Sequence, residues 1–232
     1  MRPIIKKNLL ETLVTYKVSL VSLPQKMDTQ QENKKRIAEK ALELFIMYGI
    51  RSVSMDVIAT SLGMSKKTIY NYYTDKDGLV LDVVERVLNK NCQDNMADEH
   101  AAKNAVQESF MAIERTSELF SSMNPVVMFD LEKYHPRAYK VFVNYKQDFL
   151  YNALKKNIED GIKDGLYRAD LNVELIVRFR LQTVLLAFIP EMHADTGLAK
   201  TNEELFYLFL YGLSTPKGYQ FINKYRKERL KF

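Results

Sequence analysis

Residues 54–73 read Ser54-Met55-Asp56-Val57-Ile58-Ala59-Thr60-Ser61-Leu62-Gly63-Met64-Ser65-Lys66-Lys67-Thr68-Ile69-Tyr70-Asn71-Tyr72-Tyr73. Ser54 stands where an N-cap belongs, with Asp56 in the first turn behind it. Leu62-Gly63 closes that helix. Ser65 caps a second short helix, predicted from Lys66 to about Tyr72. Two short helices joined by a tight turn at Gly63 make a helix-turn-helix. Ala59 is small where the second helix must approach, and Val57, Ile58, Leu62 and Ile69 are the expected core positions. The second helix carries no acid, as suits an element entering a groove walled by phosphates. It offers Lys67, Thr68, Asn71 and Tyr72 as donors toward bases and backbone. Outside such a motif Lys66 and Lys67 would read as an ordinary solvated face; inside it they read as phosphate contacts. Ser54 and Ser65 are caps first, yet a cap also leaves backbone N–H groups aimed at an anion.

Outward from this stretch the chain reads as helix after helix. Ile37, Ala41, Leu44, Phe45 and Tyr48 repeat at threes and fours, predicting a helix over about 33–48 that ends at Gly49. Thr74-Asp75-Lys76-Asp77 opens another, to about Asn91, with Leu79, Val83, Val84 and Val87 inward. Further helices are expected over 102–122, from Pro125 to about Lys133, and from Pro136 to Gly161 or Gly165, with proline at the first position. Residues 173–189 and 202–214 are apolar on more than one face. Thr201 with Glu204 reads as a capping box for the second of these. A helix apolar on two sides is covered on two sides, so both are expected at a subunit interface in a homodimer. Pro216 begins a basic amphipathic tail.

Composition bounds the function. The chain has 232 residues, 47% apolar and 27% charged, an ordinary globular balance. Gly and Pro number only 8 and 6, which favours long helices. The longest apolar run, Val184 to Ile189, falls far short of the ~18 residues of a membrane span. Cys92 is the single cysteine, which excludes an intrachain disulfide and fits a reducing cytoplasm. His100, His135 and His193 lack metal-ligand spacing, and no nucleophilic triad or Gly-rich phosphate loop occurs. No catalytic residue, metal or cofactor is therefore expected. The net charge of +5 is unevenly spread. Residues 33–90 carry ten basic and seven acidic groups, whereas residues 91–232 carry nineteen of each. Basic charge thus gathers around the helix-turn-helix.

Residues 1–27 mix basic and apolar residues. They read as a sequence upstream of a true start at Met27, as a basic arm touching DNA, or as a short amphipathic helix through Ile5, Leu9 and Leu13. Three units are expected: an extension over 1–32, a DNA-binding domain over 33–91, and a helical effector-binding and dimerisation domain over 92–232. The last is rich in Met and aromatic residues. Phe110, Met111, Met128, Phe129, Phe142, Tyr145, Phe149 and Phe179 are candidates to line an effector cavity, against the plainer reading of core.

Ala41-x-x-Leu44-Phe45 with Gly49, Ser54 to Ala59, Gly63 to Tyr70, and Tyr72-Tyr73-x-x-Lys76-x-x-Leu79 resemble the tetracycline-repressor (TetR) family of bacterial transcription regulators. The likeness spans about Lys34 to Val84. It implies an all-helical homodimer with an N-terminal helix-turn-helix domain and a larger C-terminal ligand and dimer domain. It implies that Lys66 to Tyr72 is the recognition helix, that Thr68, Tyr70, Asn71 and Tyr72 contact bases and phosphates, and that Lys76 contacts a phosphate. Tyr73 stands where phenylalanine is usual and is expected to pack inward with its hydroxyl at an edge. The implied partners are an inverted-repeat DNA operator, a second copy, and an unknown small-molecule effector, with no membrane. The implied function is a repressor relieved by that effector. The alternatives are an all-helical binding protein or enzyme with a vestigial DNA-binding head, and a constitutive DNA-binding protein without a cavity.

Overall fold

The computed structural model describes residues 25–229, with side chains from Thr29 onward. The readings of residues 1–24 lie outside the described residues. Twelve helical elements follow in order: α1 Gln25–Tyr48, α2 Met55–Ser61, α3 Lys66–Tyr70, α4 Lys76–Ala101, α5 Ala105–Ser122, α6 Val126–Tyr134, α7 Pro136–Tyr145, α8 Tyr151–Lys163, α9 Val173–Leu186, α10 Pro190–His193, α11 Leu198–Leu213 and α12 Pro216–Arg229. A π-helical turn, Lys146–Leu150, joins α7 to α8 without a break. Among the described residues there is no strand, only an isolated bridge between Tyr167 and Ser214.

Local chemistry explains most boundaries. Ser54, Ser65, Asp75, Asn104 and Asn172 each cap a helix by accepting a backbone N–H, satisfying a donor that the first turn cannot. Pro136 and Pro190 occupy first positions. Gly49 takes φ +84° after α1, a left-handed conformation that favours glycine.

Several boundaries differ from the sequence reading. Helix α1 reaches back to Gln25 rather than starting near Asn33, through polar residues that have helix propensity but no periodicity to reveal it. Helix α4 runs on past Asn91 to Ala101. Thr201 does not cap α11, which begins a turn earlier; its hydroxyl instead donates to the Met192 carbonyl at 3.0 Å. Val57 is 44% exposed rather than in the core, because the inner stripe of α2 is Met55, Ile58 and Ala59.

Three apolar clusters hold the molecule. The first joins Ile37, Ala41, Phe45, Ile58, Ile69, Leu79 and Val83 of α1–α4 to Leu131 of α6 and Ala138 of α7. The N-terminal head, α1–α4, therefore shares its core with the helices that follow. The second gathers Phe110 and Ile113 of α5, Ile158, Tyr167, Val177, and Phe206 and Leu210 of α11. The third is Phe120, Ala187 and Leu198, flanked by Val184 and Phe188. Helices α5 and α11 run antiparallel: Phe110 meets Phe206 edge-on at 5.7 Å, while Phe120 clusters with Leu198 at the other end.

Candidate nucleic-acid interface

Helix α3 is held from behind by one buried side chain, Ile69, and its other residues face outward. Ser65 accepts the Thr68 N–H at 3.1 Å and shares a hydroxyl contact with it at 2.8 Å. Lys67, Tyr70 and Asn71 are exposed, Thr68 and Tyr72 partly so. The helix is shorter than expected, with Asn71 as its C-cap. Asn33 of α1 donates to the Tyr72 hydroxyl at 3.1 Å and fixes that ring at the edge of the surface. Tyr73 is buried, and its hydroxyl donates to the Lys34 carbonyl at 3.2 Å and to Asp82 at 2.5 Å. A cleft of about 310 Å³ separates Gln30, Gln31 and Lys34 of α1 from Asn71 and Tyr72.

The two lysines ahead of this surface differ. Lys66 pairs with Asp56 of α2 at 2.9 Å, with both side chains exposed, and that contact raises its pKa. A phosphate would have to displace or share the pairing. Lys67 has no such partner among the described ion pairs and is a free cation at the helix start. Lys76 is different again. It is partly buried, with Nζ donating to the Arg51 carbonyl at 3.3 Å and lying 6.0 Å from the Phe45 ring centre. Burial lowers its pKa against the raising effect of Asp130 and Asp77. Its ammonium is engaged by the loop after α1.

Behind the head lies a junction that sequence reasoning missed. Asp130 of α6 is buried and accepts the Arg51 backbone N–H at 2.8 Å. The Asn124 N–H donates to the Ile46 carbonyl at 2.7 Å. Arg51 donates to the Tyr134 hydroxyl at 3.0 Å and lies over its ring. His135, buried between α6 and α7, meets Asp77 of α4 at 2.6 Å. These pairs are 58 to 83 residues apart in sequence, Asn124 with Ile46 included. No local pattern signals them; the buried aspartate in the short α6 is the nearest to a cue.

The expected effector-lining residues do not converge on one cavity. Phe110 and Met111 border a cleft of about 180 Å³ with Gln107, Glu114, Tyr225, Glu228 and Arg229. Phe142 packs against the head cluster. Tyr145 and Phe149 stack at 5.5 Å across the π-turn, where burial raises the Tyr145 phenol beside Cys92 and Arg115. Met128 is partly buried on α6. Phe129 is 54% exposed, edge-on to Tyr134. Phe179 is also 54% exposed, on the outer face of α9. Leu175 and Leu186 are exposed on that same face, and Leu208 of α11 is exposed at 71%. The last two aromatics are therefore surface groups of the single chain and not cavity walls.

Among the described residues no cluster of His, Cys, Asp and Glu could hold a metal, and no helix is long and apolar enough to cross a membrane.

Comparison with known proteins bears on both halves. Residues 37–83 match the family model of bacterial regulatory proteins of the tetR family. A helix-turn-helix-type transcriptional regulator of Staphylococcus aureus (strain bovine RF122 / ET3-1) is 41% identical over 58 residues, 25% of this chain and 31% of that protein. The chain thus matches about a third of the length of the curated relatives. A TetR-family regulator from Agrobacterium tumefaciens superimposes with a TM-score of 0.68 at 17% identity, covering 80% of this chain and all of that one. A transcriptional regulator from Saccharomonospora viridis, solved in complex with choline, gives 0.64 at 18% identity, covering 80% of this chain and 99% of that one. At such identities the likeness speaks for the fold.

Proposed function

From the match of residues 37–83 to the tetR family of bacterial regulatory proteins, we propose that the chain is a homodimeric, sequence-specific DNA-binding regulator that represses transcription until a small molecule releases it. The observation that carries the reading is α3: an acid-free helix, backed by Ile69, with Lys67, Tyr70 and Asn71 free toward solvent. Lys67 and the Ser54 and Ser65 caps would meet phosphates, and Asn71 and Tyr70 would meet base edges. Lys66 would join them once Asp56 lets go. Lys76 would steady the start of α4 and support the surface from behind. The protein would act in the cytoplasm, as a regulator rather than an enzyme.

The head is not hinged on α4 alone. Asp130, Tyr134 and His135 tie α6 and α7 directly to it. An effector that favours a different position of α6 would move the two heads and shift the population away from operator-competent spacing.

Selection of sites from a random duplex library with the purified full chain tests the proposal. Enrichment of an inverted repeat, with half-site centres about 34–36 Å apart or a multiple of that, is expected. Absence of any enriched sequence at low salt would favour the binding-protein alternative.

A further inference from the structure

Helix α1 begins well ahead of the residues that match the family model, which start at Ile37. Its residues 30–34 are all polar, and the fold brings them to the far end of α3. Gln30, Gln31 and Lys34 line one wall of the cleft of about 310 Å³, and Asn71 and Tyr72 line the other. That lining holds one cation and no carboxylate.

A chain of hydrogen bonds leads to this cleft, and chemistry fixes its direction. An Arg36 guanidinium N–H donates to the Asn33 side-chain oxygen at 3.5 Å. Asn33 in turn donates from its amide nitrogen to the Tyr72 hydroxyl at 3.1 Å. Arginine carries donors only, so the oxygen of Asn33 is the atom that must face it. The amide nitrogen is thereby set toward Tyr72. The phenol oxygen accepts, and its own proton must go elsewhere. Tyr72 has no second hydrogen bond among the described residues. Donation into the phenol oxygen also makes that proton a better donor.

Lys34 adds charge at the same place. Its ammonium lies 4.0 Å from Asp82 and 5.4 Å from the Tyr73 ring centre, and its side chain is 44% exposed. Asp82 is held more closely by Arg86 at 2.9 Å and by the Tyr73 hydroxyl at 2.5 Å. Lys34 is thus a distant partner of Asp82 and stays open to an anion.

We infer that the cleft seats one phosphate of the DNA backbone, held by the Tyr72 proton and the Lys34 ammonium, and that Asn33 is a positioning residue that keeps the Tyr72 hydroxyl a donor. A phosphate oxygen is a charged acceptor, which suits a phenol proton beside an ammonium. A base edge is the poorer fit. Tyr72 lies beyond Asn71, the C-cap of α3, whereas base contacts come chiefly from the N-terminal part of such a helix. A phosphate held there fixes the register of the head on the duplex without reading sequence. The inference rests on the proposed regulator and adds α1 to its DNA surface.

The test uses the full chain and the duplex bound most tightly after site selection. Methylphosphonate, in which a methyl group replaces a charged phosphate oxygen, is walked through one half-site, and affinity is read by fluorescence anisotropy. At one position it is expected to weaken the wild type about thirtyfold and Tyr72→Phe only about threefold, Lys34 being the contact that remains. On the unmodified duplex Tyr72→Phe should bind about tenfold more weakly, and by the same factor on duplexes with single base changes. Asn33→Ala should weaken binding about threefold or more, and the double variant with Tyr72→Phe no further than Tyr72→Phe alone. Tyr72→Phe keeps the ring, so the walk decides the seat even if Asn33→Ala melts early. Equal losses for wild type and Tyr72→Phe at every phosphate would overturn the seat, as would a Tyr72→Phe loss confined to particular base pairs. Additive losses in the double variant would overturn the role of Asn33. A wild-type chain that binds no duplex at low salt sinks the regulator and this inference together. Tight binding that Tyr72→Phe leaves unchanged sinks this inference alone.

Discussion

At the scale of single residues, the lysines of the head separate reading from support. Lys67 is exposed and unpaired, so Lys67→Ala should leave the melting temperature unchanged. It should reduce the slope of log affinity against log salt by about one unit. Lys76→Ala removes an ammonium that meets the Arg51 carbonyl and the Phe45 face. It should lower stability by about 1 kcal/mol and weaken DNA binding alongside. Equal melting temperatures for the two variants, measured by calorimetry, would put Lys76 among the solvent-facing phosphate contacts instead. Sequence could not make this distinction, because both residues are lysines next to helix starts. Only the third dimension shows that Lys76 points back at the loop after α1. The sequence reading of Tyr73 needed no such help. A tyrosine standing for a phenylalanine in an otherwise apolar position must find an edge for its hydroxyl, and it finds Asp82 and the Lys34 carbonyl.

At the scale of elements, Asp82 and Gly49 control how the head is assembled. Burial would raise the Asp82 carboxyl. Hydrogen bonds from Arg86 and Tyr73, with the charges of Arg86 and Lys34, outweigh burial and hold it below its ordinary value. A carboxyl with a depressed folded pKa contributes stability above its unfolded pKa, near 3.9, and loses it as pH falls through the lower folded value. The α1–α4 contact should therefore loosen below about pH 4, and Asp82→Asn should flatten that limb of a pH-melting curve. Gly49 does a different job. A Cβ there would lie 2.6 Å from Val126 Cγ1 of α6, on a backbone with φ +84°. Gly49→Ala should cost about 2 kcal/mol or more from strain and overlap together. It should also push α6 away from the head. A chemical-denaturation midpoint identical to wild type would show that α6 yields freely and transmits nothing. The glycine was legible in sequence as a helix terminator, but its role as a seat for α6 was not. That role depends on residues 77 positions away meeting it in space.

At the scale of the whole molecule, large apolar side chains on α9 and α11 remain uncovered. Leu175, Phe179 and Leu186 line the outer face of α9, and Leu208 stands out from α11. Along the same face of α11, a Cβ built at Gly212 would meet nothing, so a neighbouring helix could come close there. Periodicity told that both helices were apolar on two sides, and it could not say which side met the body of the chain. The structure separates them: Val177, Thr183 and Ala187 face inward, Leu175, Phe179 and Leu186 outward. Two copies pairing these faces about a two-fold axis would bury these side chains symmetrically and place two heads at a fixed separation. The double variant Phe179→Glu, Leu208→Lys changes only exposed side chains, so the helical fold should survive, as far-UV circular dichroism would register. Light scattering should then find a monomer. Without a partner, the second half-site no longer binds at high effective concentration. Operator affinity should fall by about 100-fold or more, while affinity for a lone half-site stays as in the wild type. A variant that remained dimeric would move the interface elsewhere. One that became monomeric and kept full operator affinity would mean that each chain reads DNA alone, and the inverted repeat would lose its structural basis.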